Sequence, residues 1–106
     1  MRYRIREYSE GGKSPFGKWF EDLDPMTAAR VDRCIRRLEA GNFGAAKALR
    51  GGMCELRLDF GPGYRVYFGL DRKTLVILLG GGDKRRQSAD VGAAMERREL
   101  YRKTRV

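Results

Sequence analysis

The sequence predicts a small α+β domain in which a helical hairpin packs on one side of a β-sheet. Apolar and polar residues alternate along Cys54–Phe60, the pattern of a half-buried strand. Leu75–Leu79 is apolar without alternation, as in a central strand covered on both faces. Before these segments, aromatic and aliphatic residues recur at the i, i+3, i+4, i+7 spacing of an amphipathic helix.

We expect about four strands. An edge strand is predicted at Tyr3–Tyr8 from its alternation of apolar and charged residues. Cys54–Phe60 is followed by a turn at Gly61–Gly63 and a strand at Tyr64–Phe68. The last strand, Leu75–Leu79, is predicted to end at Gly80–Gly82. Residues 41–52 are interpreted as a loop.

Two helices precede the central strands. Ser14-Pro15 has the cap and first-turn residues of a short helix with a heavy aromatic face. Asp24-Pro25 repeats the signal and begins a helix that runs to about Ala40. Such a tightly joined hairpin must bury its apolar stripe against the apolar back of the sheet.

A third helix is predicted from about Ser88 to Arg102, with a charged tail that frays from about residue 101. We find no repeat, low-complexity tract or linker, so residues 1–106 are interpreted as one domain.

Composition limits the function. Lys and Arg number 23 against 14 Asp and Glu, and the net charge of +9 suggests a polyanionic partner such as nucleic acid. The chain has no histidine, which excludes imidazole catalysis and the usual zinc sites. Cys34 and Cys54 are interpreted as reduced core thiols. No apolar run reaches spanning length, so we expect a cytoplasmic protein with no membrane partner.

The front of the sheet is expected to carry Arg57, Arg65 and Tyr67, with Lys84 just beyond the glycines. Arg57 and Arg65 project from adjacent strands and could converge on one phosphate. Tyr67 could stack on a base, and Lys84 could supply a third contact to an anion. We expect Arg65 on the exposed side, where its removal would leave the fold intact.

Four further cations are expected to bind substrate beside this set. They are Lys47, Arg50, Arg85 and Arg86.

Several motifs in series resemble toxins of the RelE/ParE superfamily, in the branch of addiction module killer proteins or phage-derived HigB-like toxins. The motifs include Glu55-Leu56-Arg57, Gly63–Phe68 and Leu78–Lys84, preceded by Arg36–Gly44. The resemblance covers Tyr3 to about Ala94. It implies a RelE-like fold, with an N-terminal helical hairpin on a twisted, mainly antiparallel sheet and a C-terminal helix.

The resemblance also implies a function. Such a protein is the toxin of a type II toxin–antitoxin pair and cleaves messenger RNA on the ribosome, without metal or cofactor, by attack of a 2′-OH on the adjacent phosphate. Its partners would be ribosome, messenger RNA and a cognate antitoxin, expected to be of the helix-turn-helix type and encoded in the adjacent gene.

The resemblance assigns roles to individual residues. Arg65 matches the family's strand arginine, and Arg57 matches the second of two basic residues on the preceding strand. The first of that pair is Glu55 here, which is either a general base or a cross-strand partner of Arg57. Lys84 or Arg85 matches a basic residue after the last strand only loosely.

The family's C-terminal tyrosine has no counterpart, since Asp90 and Val91 fall at its place. Its absence puts the proton chemistry in question. Arg65 has an alternative role as well, in which it pairs with Glu55 or Asp59 and holds the sheet.

Two alternative functions stay open. A ParE-like toxin has the same fold but inhibits DNA gyrase without cleaving a bond. A non-toxic basic domain would only bind nucleic acid.

Overall fold

The computed structural model describes residues 2–104. In chain order, the elements are β1 Arg4–Glu7, α1 Pro15–Glu21, α2 Pro25–Glu39, β2 Ala46–Ala48, β3 Met53–Arg57, β4 Arg65–Asp71, β5 Leu75–Gly82 and α3 Gln87–Thr104. Short 3₁₀ turns at Arg50–Gly52 and Lys84–Arg86 precede β3 and α3.

Within this described part, the strands form a five-stranded sheet in the order β1-β5-β4-β3-β2. β1 runs parallel to β5, and the other neighbours are antiparallel. The α+β class, the mainly antiparallel sheet and the edge position of β1 are therefore confirmed. The predicted number of strands was one too low, because the short strand β2 lies inside the segment interpreted as a loop.

The helix starts are as predicted. Ser14 Oγ accepts a hydrogen bond from the Gly17 N–H at 2.9 Å, and Asp24 Oδ2 accepts one from the Thr27 N–H at 3.1 Å. Each cap is followed by a proline in the first turn, where a missing N–H costs nothing.

The hairpin of α1 and α2 packs on one face of the sheet, as expected. Its buried residues Phe16, Val31, Ile35 and Leu38 join apolar side chains of β3, β4 and β5. Both cysteines are free and half-buried, in agreement with the prediction.

Helix α3 covers the other face of the sheet. Ala94, Val91 and Met95 pack there with a second apolar cluster that includes Met53 and Leu79. The front face was expected to be open, and that expectation was wrong. The apolar run Leu75–Leu79 is covered on both faces, as predicted, because the hairpin lies on one side and α3 on the other.

The α3 helix extends to Thr104, so the predicted tail is helical as far as that residue, and residues 105 and 106 lie outside the described part. None of the helices within residues 2–104 has the length and apolarity needed to cross a membrane.

Gly80–Gly82 do not end the last strand but lie within β5 and pair with β4. The reason is steric. A Cβ on Gly81 would clash with the Trp19 ring of α1, and one on Gly82 would clash with the Asp90 carboxylate of α3. Glycine lets a helix approach the strand closely from each side.

Gly81→Ala should therefore lower the free energy of unfolding by about 1–3 kcal/mol, the usual effect of overpacking. Gly92→Ala is the matched control, since a Cβ there meets nothing within 4 Å. It should stabilise the exposed α3 helix by about 0.5–1 kcal/mol. Urea denaturation measures both, and a neutral Gly81→Ala would contradict the proposed packing.

Candidate active site

Three cationic residues meet at the turn between β3 and β4. Arg57 and Arg65 are directly opposed across the two strands. The Lys84 N–H donates to the Pro62 carbonyl oxygen at 3.2 Å, which ties the chain after β5 to the turn. A Cβ on Gly63 would lie 3.2 Å from Arg65 Nη1 and 3.2 Å from Lys84 Cβ. We call Arg57, Arg65 and Lys84 the basic cluster.

The glycines of the turn allow this convergence. Gly61 and Gly63 have φ angles of 65° and 78°, which disfavour other residues. The Leu58 N–H donates to the Tyr64 carbonyl oxygen at 3.0 Å and holds the two arms of the turn together. The sequence thus predicted correctly that Arg57 lies across from Arg65.

Arg65 is buried, with 5% of its surface exposed, so its predicted place on the open side of the sheet was wrong. Its Nη1 donates to the Gly63 carbonyl oxygen at 2.8 Å, and its Nε lies 3.1 Å from Glu55 Oε1. The front face was expected to be solvent-exposed, but α3 crosses it. Among the described residues, Arg65 is therefore held by one hydrogen bond from Nη1 and by one ion pair, in which Nε lies close to the carboxylate without forming a hydrogen bond.

Glu55 is the buried anion of the site. It is 2% exposed, and its Oε1 also accepts a hydrogen bond from Gln87 Nε2 at 3.0 Å. Arg57 Nη2 lies 4.0 Å from its Oε2. Of the two roles that the sequence left open, the geometry is that of a partner, and the close partner is Arg65 rather than Arg57.

Tyr67 is fully buried beneath α3, so the expectation that it lies exposed for base stacking was wrong. Burial, and next the charge of Glu55, raises the pKa of Tyr67 to about 12. The phenol therefore stays protonated at neutral pH. Its oxygen has no hydrogen-bond partner among the residues described.

The remaining predicted site residues are exposed. Arg57 exposes 57% of its side chain, and Lys84, Arg85 and Arg86 follow on the 3₁₀ turn. Arg85 donates to Asp83 Oδ2 at 3.1 Å. These cations lie at the same end of the sheet as Arg65.

The last two predicted substrate-binding residues, Lys47 and Arg50, lie apart from each other. Lys47 lies on β2 opposite Glu55, so it borders the same face as the basic cluster. Arg50 lies in the 3₁₀ turn before β3. Met53, at the start of β3, is opposite Gly69, while Arg57, at its end, is opposite Arg65. Arg50 is therefore at the far end of β3 from the basic cluster.

Sequence reasoning missed the role of Gln87 and the covering of this face by α3. The sequence did contain an indication that a helix covers this face. Leu75–Leu79 was expected to be covered on both faces, the hairpin can cover only one, and the third helix had an apolar stripe to bury. Nothing in the sequence singled out Gln87.

Asp90 stands where the family's tyrosine was expected. Its carboxylate lies against Gly82, and burial raises its pKa, with the positive charges of Arg86 and Arg97 acting in the opposite direction. A carboxyl group there can hold a proton more readily than an ordinary Asp. Within residues 2–104 it forms no hydrogen bond or ion pair with the basic cluster.

Comparison with known proteins shows which family and fold this chain is similar to. Residues 18–101 match the model of a family described as phage-derived protein Gp49-like. An uncharacterised protein of Haemophilus influenzae is 45% identical over 80 residues, which are 74% of this chain and 81% of that protein. The solved structure of a mutant of the E. coli toxin RelE in the free state has a similar fold. Its TM-score is 0.68 at 23% identity, over 92% of this chain and 98% of that one.

The buried ion pair predicts unequal effects on stability. Arg65→Ala leaves the Glu55 carboxylate buried without its close partner and should cost about 3–5 kcal/mol. Arg57→Ala, on the opposed exposed position, should change the free energy of unfolding by about 1 kcal/mol or less. Urea denaturation of both variants tests this, and a loss of about 1 kcal/mol or less for Arg65→Ala would show that the buried pair does not stabilise the sheet.

Proposed function

The chain belongs to the Gp49-like family of phage-derived proteins and has the RelE fold, and from this premise we propose that it is the toxin of a toxin–antitoxin pair that cleaves messenger RNA on the ribosome. Family and fold support a toxin-type function. The observation that carries the finer proposal is the basic cluster, in which cations from β3, β4 and the segment after β5 meet at one turn.

The chemistry needs no metal ion. When the 2′-OH of a ribose lies in line with the adjacent phosphorus, its oxygen forms a bond to phosphorus as the bond to the 5′-oxygen breaks. Negative charge develops on the phosphate in the transition state. Guanidinium and ammonium groups held in advance stabilise that charge better than water does.

The three cations have different roles in this proposal. Arg57 and Lys84 are exposed and contact the scissile phosphate directly. Arg65 is fixed by Glu55 and the Gly63 carbonyl, so it supplies positive charge at a position that does not have to be reorganised. Glu55 holds Arg65 and is not proposed as the general base.

The partners follow from the proposed activity. Lys47, Arg50, Arg85 and Arg86 are exposed cations that can contact the phosphates of messenger or ribosomal RNA. We propose a cognate antitoxin that neutralises the toxin by covering exposed basic surface. The row Arg30, Arg33 and Arg37 on α2 and the β1 edge are candidate contacts, since an edge strand accepts strand addition.

The cleavage proposal predicts that Arg57→Ala and Lys84→Ala each reduce RNA cleavage by about 10²–10³-fold. Both positions are exposed, so the melting temperature should stay nearly constant. Lys18→Ala, an exposed charge loss on α1, should leave the cleavage rate unchanged. Rates are measured on ribosome-bound message. Full activity in both site variants would remove the basic cluster from the mechanism.

The ParE-like function makes a different prediction in cells. Expression of this chain alone should arrest growth and produce cleaved messages, and co-expression of the adjacent small gene should restore growth. Growth arrest with double-strand DNA breaks and intact messages would instead identify a gyrase inhibitor. Absence of arrest would favour a basic nucleic-acid-binding domain.

A further inference from the structure

A small pocket lies near the C-terminal end of α3, away from the basic cluster. Its volume is about 210 Å³. One wall comes from the hairpin between β4 and β5, which contributes Gly69, Asp71 and Arg72, and the other from α3, which contributes Arg98, Tyr101 and Arg102. Most drug-sized ligands need a larger cavity, so a compact group such as a phosphate suits this volume.

We call this cavity the arginine pocket. Its described lining combines the guanidinium groups of Arg72, Arg98 and Arg102 with the carboxylate of Asp71. Arg98 Nε donates to the Gly52 carbonyl oxygen at 2.9 Å, which fixes that side chain across the sheet. Arg72 lies in the turn after β4 and has a φ angle of 63°. Within residues 2–104, no other residue except glycine has a positive φ. Asp71 Oδ2 accepts a hydrogen bond from the Tyr101 hydroxyl at 2.6 Å.

Asp71 is the only acid in the described lining of the pocket, against three arginines. Arg102 Nη1 lies 3.3 Å from Glu99 Oε2, but both side chains are more than half exposed, so solvent weakens that pair. Within residues 2–104, neither Arg72 nor Arg98 forms an ion pair. A planar guanidinium group is well suited to bind phosphate oxygens in pairs.

We propose that the arginine pocket binds a backbone phosphate of the RNA substrate, several nucleotides from the scissile phosphate; this rests on the proposed function. Strand β4 connects the two sites, since Arg65 begins it and Arg72 follows its last residue. At about 3.3 Å per residue, the two positions are roughly 20 Å apart. Arg50 and the Gly52–Arg98 contact lie at the pocket end of this path.

A second cavity is more acidic. This cleft of about 960 Å³ is lined by residues of β1, α1, β5 and α3 and of the loops beside them, and five acids face Lys13, Lys18 and Arg97 there. The acids are Glu7, Glu10, Glu21, Asp22 and Asp90. A polyanion is therefore favoured at the arginine pocket over this cleft.

The test compares two charge-matched double variants. Arg72→Asn with Arg102→Gln removes two charges from the pocket, and Asn tolerates the left-handed backbone at position 72. Lys13→Gln with Lys18→Gln removes two charges from the acidic cleft. The probe is a single-stranded 2′-O-methyl RNA of about 12 nucleotides, which spans both sites and lacks the attacking hydroxyl. Its affinity is measured by fluorescence anisotropy against salt concentration.

The pocket variant should bind this RNA at least tenfold more weakly, with a slope of log K against log salt reduced by about 0.7 per lost phosphate contact. A 2′-O-methyl trinucleotide, too short to reach the pocket, should bind wild type and variant equally. Equal losses in both double variants would mean general charge attraction, and no loss in either would mean an empty pocket. Both outcomes overturn the proposal.

Failure of the proposed function is recognised separately. If the wild-type protein binds the long RNA without salt dependence, the RNA proposal falls. Titration with inorganic phosphate then tests whether the pocket binds phosphate independently of RNA. Binding is followed by amide NMR shifts at Gly69, Arg72 and Tyr101. Shifts that vanish in the pocket variant identify a site for free phosphate, and no shifts in the wild type overturn the site.

Discussion

The structure depends on one constraint, the close approach of a helix to each face of β5. Trp19 of α1 lies against Gly81 on one face, and Asp90 of α3 lies against Gly82 on the other. Only residues without a Cβ leave room for both. This approach places α3 over the front of the sheet, where it buries Glu55, Arg65 and Tyr67. Arg57 and Lys84 stay exposed beside these buried residues, and the shape of the candidate active site follows from helix packing.

The Glu55–Arg65 pair shows how charge is accommodated under this helix. A buried arginine without a partner would be costly, and a carboxylate at 3.1 Å with a carbonyl oxygen at 2.8 Å makes its burial tolerable. Gln87 reaches from the first turn of α3 to the same carboxylate, so the helix that covers the pair also contributes to its hydrogen bonding. Such a pair contributes little net stability compared with apolar packing, but it defines one position for the guanidinium group. That fixed position is useful where charge develops in a transition state.

Much of the fold could be predicted from local patterns. The caps Ser14 and Asp24, the alternation in β3 and the apolar run in β5 each reflect physics within a few residues. The site was harder, because exposure depends on which element covers a face. Alternation correctly predicted that Arg57 and Arg65 lie on one face of the sheet. It could not reveal that Arg65 is buried on that face while Arg57 is exposed. Gly80–Gly82 were interpreted as a turn since glycine commonly breaks a strand, and only the neighbouring Trp19 and Asp90 explain them as strand residues.

The net charge of +9 is unevenly distributed over the surface of this fold. The basic cluster and the arginine pocket lie at opposite ends of β4, while the cleft lined by residues of β1, α1 and α3 has five carboxylates and three cations. A long polyanion that approaches such a molecule is attracted more strongly to the two ends of β4 than to the cleft, which orients it before any specific contact forms. Helix α3 takes part at both ends of β4: Gln87 in its first turn holds the Glu55 partner of Arg65, and Arg98 and Arg102 near its C-terminal end line the arginine pocket.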